Sequence, residues 1–386
     1  MKKRLLGIML CIMMISSLFA ACGKKDEETV AKKDTKKEDT VKDDTKKDDT
    51  KKDDVKTVEV KKIGVAMPTK DLQRWNQDGA NMKTQLEAAG YEVDLQYANN
   101  EVAQQVSQIE NMITNGVDAL VIASIDGGSL GTVLADAKAN NIAVIAYDRL
   151  IMETDAVTYY ATFDNYMVGT IQGQYIVDTL DLENQEGPFN IELFTGSPDD
   201  NNARYFFGGA IDILTPYIDN GKLNVVSGQK AFEEVATLNW STEEAQKRME
   251  NLITANYTDG TKLDVVCSSN DSCAIGITNA LVNAGYTADN FPIITGQDCD
   301  ITSTKNIIAG TQSMSIFKDT RDLAAKVVEM VDAIMKGTEV PVNDIETYDN
   351  GVGIVPTYQC APVFADINNY EELLIDSGYY TADQLK

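Results

Sequence analysis

Ten short apolar runs alternate with longer amphipathic stretches along residues 62–317 of this chain. Several runs are apolar on both faces, as parallel strands are when helices cover both sides of a sheet. A helical pattern fills residues 102–114, where apolar side chains recur every three or four positions from Val102 to Ile113. The ten runs are residues 62–67, 93–98, 119–123, 142–147, 158–163, 189–194, 224–228, 263–267, 292–296 and 313–317. The alternation predicts an α/β fold built from doubly wound parallel sheets.

The first 21 residues have the form of a secretory signal. Three basic residues at positions 2–4 precede a mostly apolar run from Leu5 to Phe19, and two alanines stand directly before Cys22. The run is too short to cross ~30 Å of hydrocarbon comfortably, so we expect a cleaved signal and not a spanning helix. Cys22 stands where bacterial lipoprotein signals are cut and acylated. We therefore expect Cys22 to be the lipidated first mature residue, with plain secretion as the alternative, because Phe19 holds the position at which this cleavage motif usually has leucine.

Residues 23–56 are nearly all Lys, Asp, Glu and Thr, with a five-residue repeat that is visible in KKEDT, VKDDT, KKDDT and KKDDV. A segment of that composition cannot bury a core, and it lacks the apolar positions of a coiled coil. We therefore expect residues 22–58 to be a disordered tether. As a flexible coil it would span roughly 30 Å.

The rest of the chain is strongly acidic. Because 12 lysines balance 12 acidic residues in the tether and the signal carries +3, the formal net charge of −26 leaves −29 on residues 57–386. Such a field repels phosphate backbones and anionic lipid, which argues against nucleic acid and against any membrane contact beyond the lipid anchor. About 330 residues also exceed what one hydrophobic core usually serves, so we expect two domains.

The residue types exclude most catalytic chemistry. The sequence has no histidine, which removes imidazole acid–base catalysis, histidine-based triads and histidine-ligated metals. A secreted glycoside hydrolase is a remote alternative, but Arg149 directly follows Asp148 and favours an ionised carboxylate over a general acid. No glycine-rich phosphate loop occurs, and a signal and tether stand where a helix-turn-helix would precede the core. We expect a binding protein without a cofactor.

The four cysteines of the folded part do not have the spacing of a metal site. Cys267, Cys273, Cys299 and Cys360 lack a CxxC arrangement, so we expect no bound metal. Buried free thiols are one interpretation, and a bridge from Cys267 to Cys273 is the other.

Polar side chains follow the predicted strands at the points where ligands bind in doubly wound sheets. Any one of them could simply cap a helix, but together they place carboxylates, amides and cations in one cleft. They are Asp126, Asp148, Arg149, Asp199, Asp200, Asn201, Asn202, Asn270, Asp271, Gln297, Asp298 and Lys318. A sugar hydroxyl both donates and accepts a hydrogen bond, and a pyranose face stacks on an aromatic ring. The two tryptophans, Trp75 and Trp240, both follow strand-end loops, so a polyhydroxyl ligand fits this set.

Several strings at these strand ends are typical of one family. They are VIASIDG, VIAYDRLI, YYATFDN, GSPDDNNA, SSNDS, TGQD and IFKDT. With them the chain resembles, from about residue 62 to 363, the bacterial periplasmic binding proteins for pentoses and hexoses, especially D-xylose-binding and multiple-sugar-binding receptors. SSNDS matches the xylose-type pattern.

The resemblance implies two lobes that close on one sugar around three hinge strands. The amino-terminal lobe would comprise residues 59–164 and 319–345, and the carboxy-terminal lobe residues 165–318 and 346–386, with hinges near Phe163, Lys318 and Tyr348. The resemblance also implies the ligand-binding set, in which Asp148 and Arg149 form a charged pair and Trp240 stacks on the sugar. That set is Arg74, Trp75, Asp126, Asp148, Arg149, Asp200, Asn202, Trp240, Asn270, Asp298 and Lys318.

What the resemblance implies about function is capture of a monosaccharide outside the cytoplasm by a monomer. The cargo stays open among D-xylose, D-glucose, D-galactose and L-arabinose. The expected partner is an ABC-type sugar permease. A sensing role, in which a chemoreceptor or sensor kinase reads the closed form, is the alternative.

Overall fold

The computed structural model describes residues 60–386. The predicted signal (residues 1–21), the lipidated Cys22 and the tether (residues 22–58) lie outside the described residues. No helix within residues 60–386 is long and apolar enough to span a membrane.

Each of the ten predicted runs overlaps a strand. The ends shift by at most three residues, and two further short strands follow near the carboxyl terminus. The strands are β1 (Lys62–Met67), β2 (Glu92–Tyr97), β3 (Ala119–Ile122), β4 (Ala143–Tyr147), β5 (Tyr159–Phe163), β6 (Phe189–Phe194), β7 (Leu223–Val225), β8 (Val265–Ser268), β9 (Ile293–Ile294), β10 (Met314–Phe317), β11 (Thr357–Cys360) and β12 (Val363–Asp366).

Ten α-helices connect these strands in the described part of the chain. They are α1 (Gln73–Ala88), α2 (Val102–Thr114), α3 (Gly131–Ala139), α4 (Asn165–Thr179), α5 (Asn201–Asp219), α6 (Phe232–Val235), α7 (Thr242–Asn256), α8 (Asp271–Asn283), α9 (Ile301–Ala309) and α10 (Thr320–Lys336). A 3-10 turn covers Leu238–Trp240 and a π-helical turn covers Glu371–Asp376. Polar strand-end residues start several helices: the side chains of Asp164, Asp200 and Asn270 accept backbone N–H groups of the first turns of α4, α5 and α8.

The strands form two parallel sheets and one small antiparallel pair. The six-stranded sheet has the order β11-β5-β4-β3-β1-β2, and the four-stranded sheet has the order β7-β6-β8-β9. Strands β10 and β12 pair antiparallel beside them. We call the six-stranded sheet with its helices lobe 1 and the four-stranded sheet with its helices lobe 2. The predicted fold class, two doubly wound parallel sheets, is confirmed.

Both faces of the six-stranded sheet are buried. Along β3, Ala119 and Val121 pack on one face in a core that includes side chains of α1 and α10, while Leu120 and Ile122 pack on the other with side chains of α2 and α3. Because successive side chains of a strand point to opposite faces, a strand that is covered on both sides must be apolar throughout. This is why the runs in the sequence are continuous and not alternating.

The chain crosses between the lobes three times, and the third crossing differs from the prediction. The first two crossings follow β5 and β10, close to the predicted Phe163 and Lys318. The third connects β11 to β12 across residues 360–363. Residues 346–360 were expected in the carboxy-terminal lobe, but β11 pairs parallel with β5 and so extends the sheet of lobe 1.

Tyr348 is therefore a core residue and not a hinge. Its side chain is 2% exposed and packs edge-on against Tyr160 of β5, with ring centroids 5.1 Å apart. The short β11 has the sequence TYQC, which carries little apolar signal. The strand character of β11 follows from its pairing with β5 and not from a local apolar pattern.

The cysteines of the described residues are free. Cys267, Cys273 and Cys299 are buried and Cys360 is half-buried, which agrees with the free-thiol interpretation and not with a bridge from Cys267 to Cys273. Burial raises the pKa of the Cys267 and Cys273 thiols to about 12, so both are protonated at neutral pH.

Helices α4 and α5 pack unusually closely because glycines face each other's backbone. A Cβ atom on Gly209 of α5 would lie 2.1 Å from the carbonyl oxygen of Tyr166, and one on Gly169 of α4 would lie 1.9 Å from that of Phe206. No side chain fits at these positions unless the helices move apart. This contact holds α5 against α4. It thereby also fixes the start of α5, which follows a strand-end loop and is capped by it.

We expect Gly209→Ala to destabilise the protein by about 1–3 kcal/mol, because the added methyl group forces two packed backbones apart. Gly208→Ala is the matched control in the same helix: the nearest atom to its added methyl group is 3.8 Å away, and alanine favours helix more than glycine does. Thermal unfolding followed by circular dichroism compares the two. An equal change in Tm for both variants would contradict the close-packing argument.

Candidate ligand-binding site

A pocket lies between the lobes, with about 430 Å³ of space that is partly open to solvent. Its walls come from residues that follow strands of both sheets, as expected for parallel sheets. The lining residues are Leu72, Arg74, Trp75, Asp148, Arg149, Asp200, Phe206, Trp240, Asn270, Ser272, Gln297, Asp298, Asp300 and Lys318. Nine of the eleven predicted ligand-binding residues are among them; Asp126 and Asn202 are not.

Arg74 lies at the centre of the charged groups. It stands in the first turn of α1, is 5% exposed, and reaches three carboxylates with three different nitrogens. Nε donates to Asp78, Nη1 donates to Asp298 Oδ1 at 2.7 Å, and Nη2 donates to Asp148 Oδ2 at 2.8 Å. Burial works against this charge, but the three carboxylates outweigh burial and raise the pKa of Arg74 above its usual value. Asp298 lies in lobe 2, so one guanidinium ties the two lobes together.

Lys318 is the second cation of this network. Its Nζ lies 3.0 Å from Asp298 Oδ1 and 3.8 Å from Asp148 Oδ2. Burial alone would raise the pKa of Asp148, but Arg74, Lys318 and Arg149 together lower it. Asp148 therefore stays ionised and accepts hydrogen bonds over the whole physiological pH range.

Arg149 has a different carboxylate partner from the one predicted. The sequence suggested a pair with Asp148, but Nε of Arg149 lies 3.0 Å from Asp200 Oδ2 in lobe 2. Its Nη1 donates to the backbone carbonyls of Ser124 and Ile125 at 3.0 and 3.3 Å. Consecutive residues point to different partners here because Asp148 has a left-handed backbone (φ 59°), which turns the chain sharply at the end of β4.

The two tryptophans supply the apolar part of the pocket, one from each lobe. The Trp75 ring lies under the Arg149 guanidinium, 5.1 Å from ring centroid to Cζ, and Trp240 Nε1 donates to Asp200 Oδ2 at 3.1 Å. Trp240 fits because residue 196 is glycine: a Cβ there would lie 2.0 Å from the indole ring. Trp240 is therefore held at its indole N–H, whereas the Arg149 guanidinium covers one face of the Trp75 ring.

Non-glycine residues hold left-handed backbone at several points of the pocket. Besides Asp148 they include Asp298 (φ 96°), Cys299 (φ 50°) and Trp240 (φ 55°). Such conformations cost free energy and persist only where the surroundings hold them. At Asp148, the carbonyl oxygen accepts hydrogen bonds from Tyr160 Oη at 2.5 Å and Thr162 Oγ1 at 3.1 Å, which fixes the turn.

Asn202, a predicted ligand residue, joins the lobes instead of lining the pocket. Its Nδ2 donates to the Asp148 carbonyl at 2.5 Å, and its Oδ1 lies 3.1 Å from Tyr160 Oη. Asp126 also lies away from the pocket. Its carboxylate accepts from the Gly128 N–H and the Ser129 hydroxyl and so closes its own loop. A strand-end position did not distinguish these two roles from a ligand contact.

The predicted ligand-binding set lacked five lining residues: Leu72, Phe206, Ser272, Gln297 and Asp300. Gln297 was among the polar strand-end residues but was not placed in that set, and Asp300 lies two residues beyond the predicted Asp298. Ser272 lies two residues beyond the predicted Asn270. The apolar Leu72 and Phe206 carry no signal that distinguishes them from core.

Buried acceptors in the pocket remain open for hydrogen bonds. Among the described residues, Gln297 Oε1 and Asp300 Oδ1 have no hydrogen-bond partner. The backbone N–H of Asp300 donates to Asp271, which is buried beside it. Burial, together with the neighbouring charge of Asp298, raises the pKa of Asp300 to about 7. Burial also raises the pKa of Asp78 to about 6, although Arg74 opposes that shift.

These groups can bind a small polar molecule through both donated and accepted hydrogen bonds. Charged donors, carboxylate acceptors and two aromatic side chains line one pocket. Residues 60–386 contain no cluster of side chains that could hold a metal ion. The fold and the site together define a two-lobed binding protein for a small polar ligand.

Comparisons with known proteins identify the family. A family model described as periplasmic binding protein domain matches residues 63–339. The multiple sugar-binding periplasmic receptor of Rhizobium radiobacter is 54% identical over 326 residues, covering 84% of this chain and 92% of the receptor. The D-xylose-binding periplasmic protein of Escherichia coli is 38% identical over 324 residues, with coverage of 84% and 92%. A solved ABC transporter solute binding protein from Clostridium phytofermentans, with bound β-D-glucose, is 68% identical with a TM-score of 0.83, covering 84% of this chain and all of that one.

The chain belongs to the periplasmic binding protein family. This membership confirms the resemblance seen in the sequence and the predicted class of fold. It also confirms the prediction of a binding protein and not an enzyme.

The raised pKa of Asp300 predicts a pH-dependent effect of Asp300→Asn on stability. Ionising this carboxyl group in the folded protein costs free energy, and the cost grows as pH rises from about 4, the unfolded pKa, to about 7. We expect the ligand-free variant to be more stable than the parent at pH 8.5, on the order of 2 kcal/mol, with a much smaller difference at pH 4.5. Denaturant unfolding at both pH values measures the difference. The exposed Asp289→Asn is the control, and a gain for Asp300→Asn that does not depend on pH would contradict the argument.

Proposed function

We propose that this protein binds one aldopyranose sugar between its lobes, with D-glucose as the first candidate, and delivers it to an ABC-type sugar permease. The observation that carries the proposal is the ring of alternating cations and carboxylates that, with one tryptophan from each lobe, lines the pocket. Neutral polyhydroxyl ligands match this set because each hydroxyl can donate to a carboxylate and accept from a cation.

The ionisation states support a neutral ligand with several hydroxyl groups. Arg74 and Lys318 keep Asp148 ionised, and each carboxylate that pairs with a cation retains further lone pairs for hydroxyl donors. The open acceptors of Gln297 and Asp300 add positions for hydroxyl groups. An anionic ligand would meet an excess of carboxylates here, and an apolar ligand would leave these buried groups unpaired.

The known proteins that resemble this chain favour D-glucose among the sugars. The solute binding protein that is 68% identical holds β-D-glucose, and more distant relatives are named for D-xylose and for multiple sugars. We therefore expect D-glucose to bind most tightly, with D-xylose and D-galactose as competitors.

The transport role rests on the three crossings between the lobes and on the charged contacts across the cleft. Arg74 with Asp298 and Arg149 with Asp200 are pairs that form only when the lobes are together. A permease that contacts both lobes would therefore distinguish the closed protein from an open one.

We also propose that the protein lies outside the cytoplasm, with lipid on Cys22 as its anchor and residues 22–58 as a tether to the membrane.

Isothermal titration calorimetry of residues 57–386 with D-glucose, D-xylose, D-galactose, L-arabinose and D-ribose tests the proposal. We expect micromolar or tighter binding of D-glucose. Arg149→Ala should weaken that binding by about 2–4 kcal/mol, roughly 30- to 1,000-fold, because it leaves Asp200 buried without its cation and removes the charge over Trp75.

The matched control for this variant is Arg204→Ala, which removes an exposed arginine of α5 that pairs with Glu233 away from the pocket. Its affinity should equal that of the parent. Parent protein that binds none of the five sugars would refute the proposal. Parent binding with no loss in Arg149→Ala would refute only the placement of the site.

The lipid anchor has its own test in the full-length chain expressed in a bacterium. We expect the protein to fractionate with membranes, and Cys22→Ser to abolish lipid labelling and prevent normal signal cleavage. Metabolic labelling with a fatty-acid analogue reads out acylation directly. The control is Cys360→Ser, which changes a half-buried thiol in the folded part. Equal labelling of the parent and Cys22→Ser would exclude Cys22 as the anchor.

A further inference from the structure

The last residues of the chain pack directly behind the ligand site. After β12, the π-helical turn Glu371–Asp376 leads to a segment in which Leu374, Tyr380 and Leu385 are buried with Cys299 and Phe317. This small core is separate from the main cores of the two lobes. Cys299 follows Asp298, and Phe317 precedes Lys318. The segment therefore packs against the immediate sequence neighbours of two pocket residues.

Tyr380 makes three hydrogen bonds with one hydroxyl group. Its Oη accepts from Gln73 Nε2 at 2.7 Å and from Gln77 Nε2 at 3.0 Å, and it donates to the carbonyl oxygen of Cys299 at 2.9 Å. Gln73 and Gln77 belong to α1 in lobe 1, whereas Cys299 belongs to the loop after β9 in lobe 2. Because this buried hydroxyl bonds to residues of both lobes, it links α1 of lobe 1 to the loop of lobe 2.

Tyr379 contacts residues on either side of Lys318, the second cation of the charged network. Its ring packs edge-on against Phe317, with centroids 4.8 Å apart, and its Oη lies 3.2 Å from Thr320 Oγ1. Phe317 and Thr320 bracket Lys318. The two tyrosines thus contact neighbours of Arg74, Asp298 and Lys318, the three residues whose side chains meet in the pocket.

The loop that Tyr380 contacts needs such support. Asp298 and Cys299 both have left-handed backbone, which costs free energy unless neighbouring groups hold it. Gln73 adds a second hold, because its Oε1 accepts from the Ile301 N–H at 3.2 Å while its Nε2 donates to Tyr380. The loop is thus tied to α1 on either side of Asp300, an open acceptor of the pocket.

We propose that Tyr380 is a positioning residue of the binding site: it holds the loop of residues 297–301 against α1 and so slows the release of bound sugar. Tyr379 supports it through Phe317. The part about release rests on the proposed function, whereas the positioning of the loop does not.

Tyr380→Phe tests the proposal because it removes the hydroxyl and keeps the ring. In the ligand-free protein, hydrogen exchange followed by mass spectrometry should show residues 297–301 exchanging at least five-fold faster than in the parent, because one backbone tie of the loop is lost. With D-glucose, the dissociation rate should rise about five- to ten-fold while the association rate stays within two-fold. Stopped-flow tryptophan fluorescence can follow both rates, since Trp75 and Trp240 both line the pocket.

Two further variants keep the result interpretable. Tyr370→Phe is the matched control, since its exposed hydroxyl contacts Glu371 away from the pocket. Gln77→Leu is a milder change from the α1 side that removes one bond to each tyrosine, and it should raise the dissociation rate about three-fold. It serves in place of Tyr380→Phe if that variant does not fold.

The outcomes separate this inference from the proposed function. Unchanged hydrogen exchange at residues 297–301 overturns it, whether or not sugar binds. A lower Tm with an unchanged dissociation rate also overturns it, because a residue that acts only on folding leaves the kinetics of the folded fraction as they were. Faster exchange in a protein whose parent binds no sugar would support the positioning of the loop and refute the sugar.

Discussion

The charged network of the cleft is centred on one buried guanidinium. Arg74 contacts Asp78 within its own helix, Asp148 across the sheet of lobe 1, and Asp298 in lobe 2. Burying a charge costs several kcal/mol unless partners surround it, so removing any one partner leaves the remaining charges poorly compensated. The Tyr147 hydroxyl donates to Asp78, so this carboxylate, which does not line the pocket, has a hydrogen-bond donor besides Arg74. The network is therefore built to be complete only when the lobes meet.

Side chains in this cleft serve the fold and the ligand at once. Asp200 accepts the Asn202 N–H at the start of α5, pairs with Arg149 and accepts from Trp240. Asn270 starts α8 and also lines the pocket. Helix starts and ligand sites coincide because both lie at the carboxyl ends of parallel strands, where helix N-termini and polar loops converge. A residue at such a position can cap a helix and line the pocket at the same time.

The sequence predicted what depends on periodicity and chain order, and it missed what depends on packing between distant segments. The ten runs and the strand-end residues followed from local patterns, and nine predicted residues line the pocket. Asn202 has the same local pattern as a ligand residue, and only the position of the Asp148 carbonyl shows that it joins the lobes. Tyr348 and β11 were misplaced because TYQC has a weak strand signal and pairs with a strand almost 200 residues earlier. The partner of Arg149 depends on the left-handed turn at Asp148, which composition does not reveal.

The edge strand β11 makes the two sheets unequal in the order in which they can be completed. All four strands of the lobe 2 sheet come from one continuous stretch, Phe189 to Ile294, so its pairing needs nothing from outside that stretch. The lobe 1 sheet gains its outer strand, and with it the burial of Tyr348, only when residues 357–360 return to β5. Because a chain is synthesised from its amino terminus, all strands of the lobe 2 sheet are available before β11, and that sheet can be completed first. The earlier sheet keeps an unpaired edge on β5 until nearly the whole polypeptide is available.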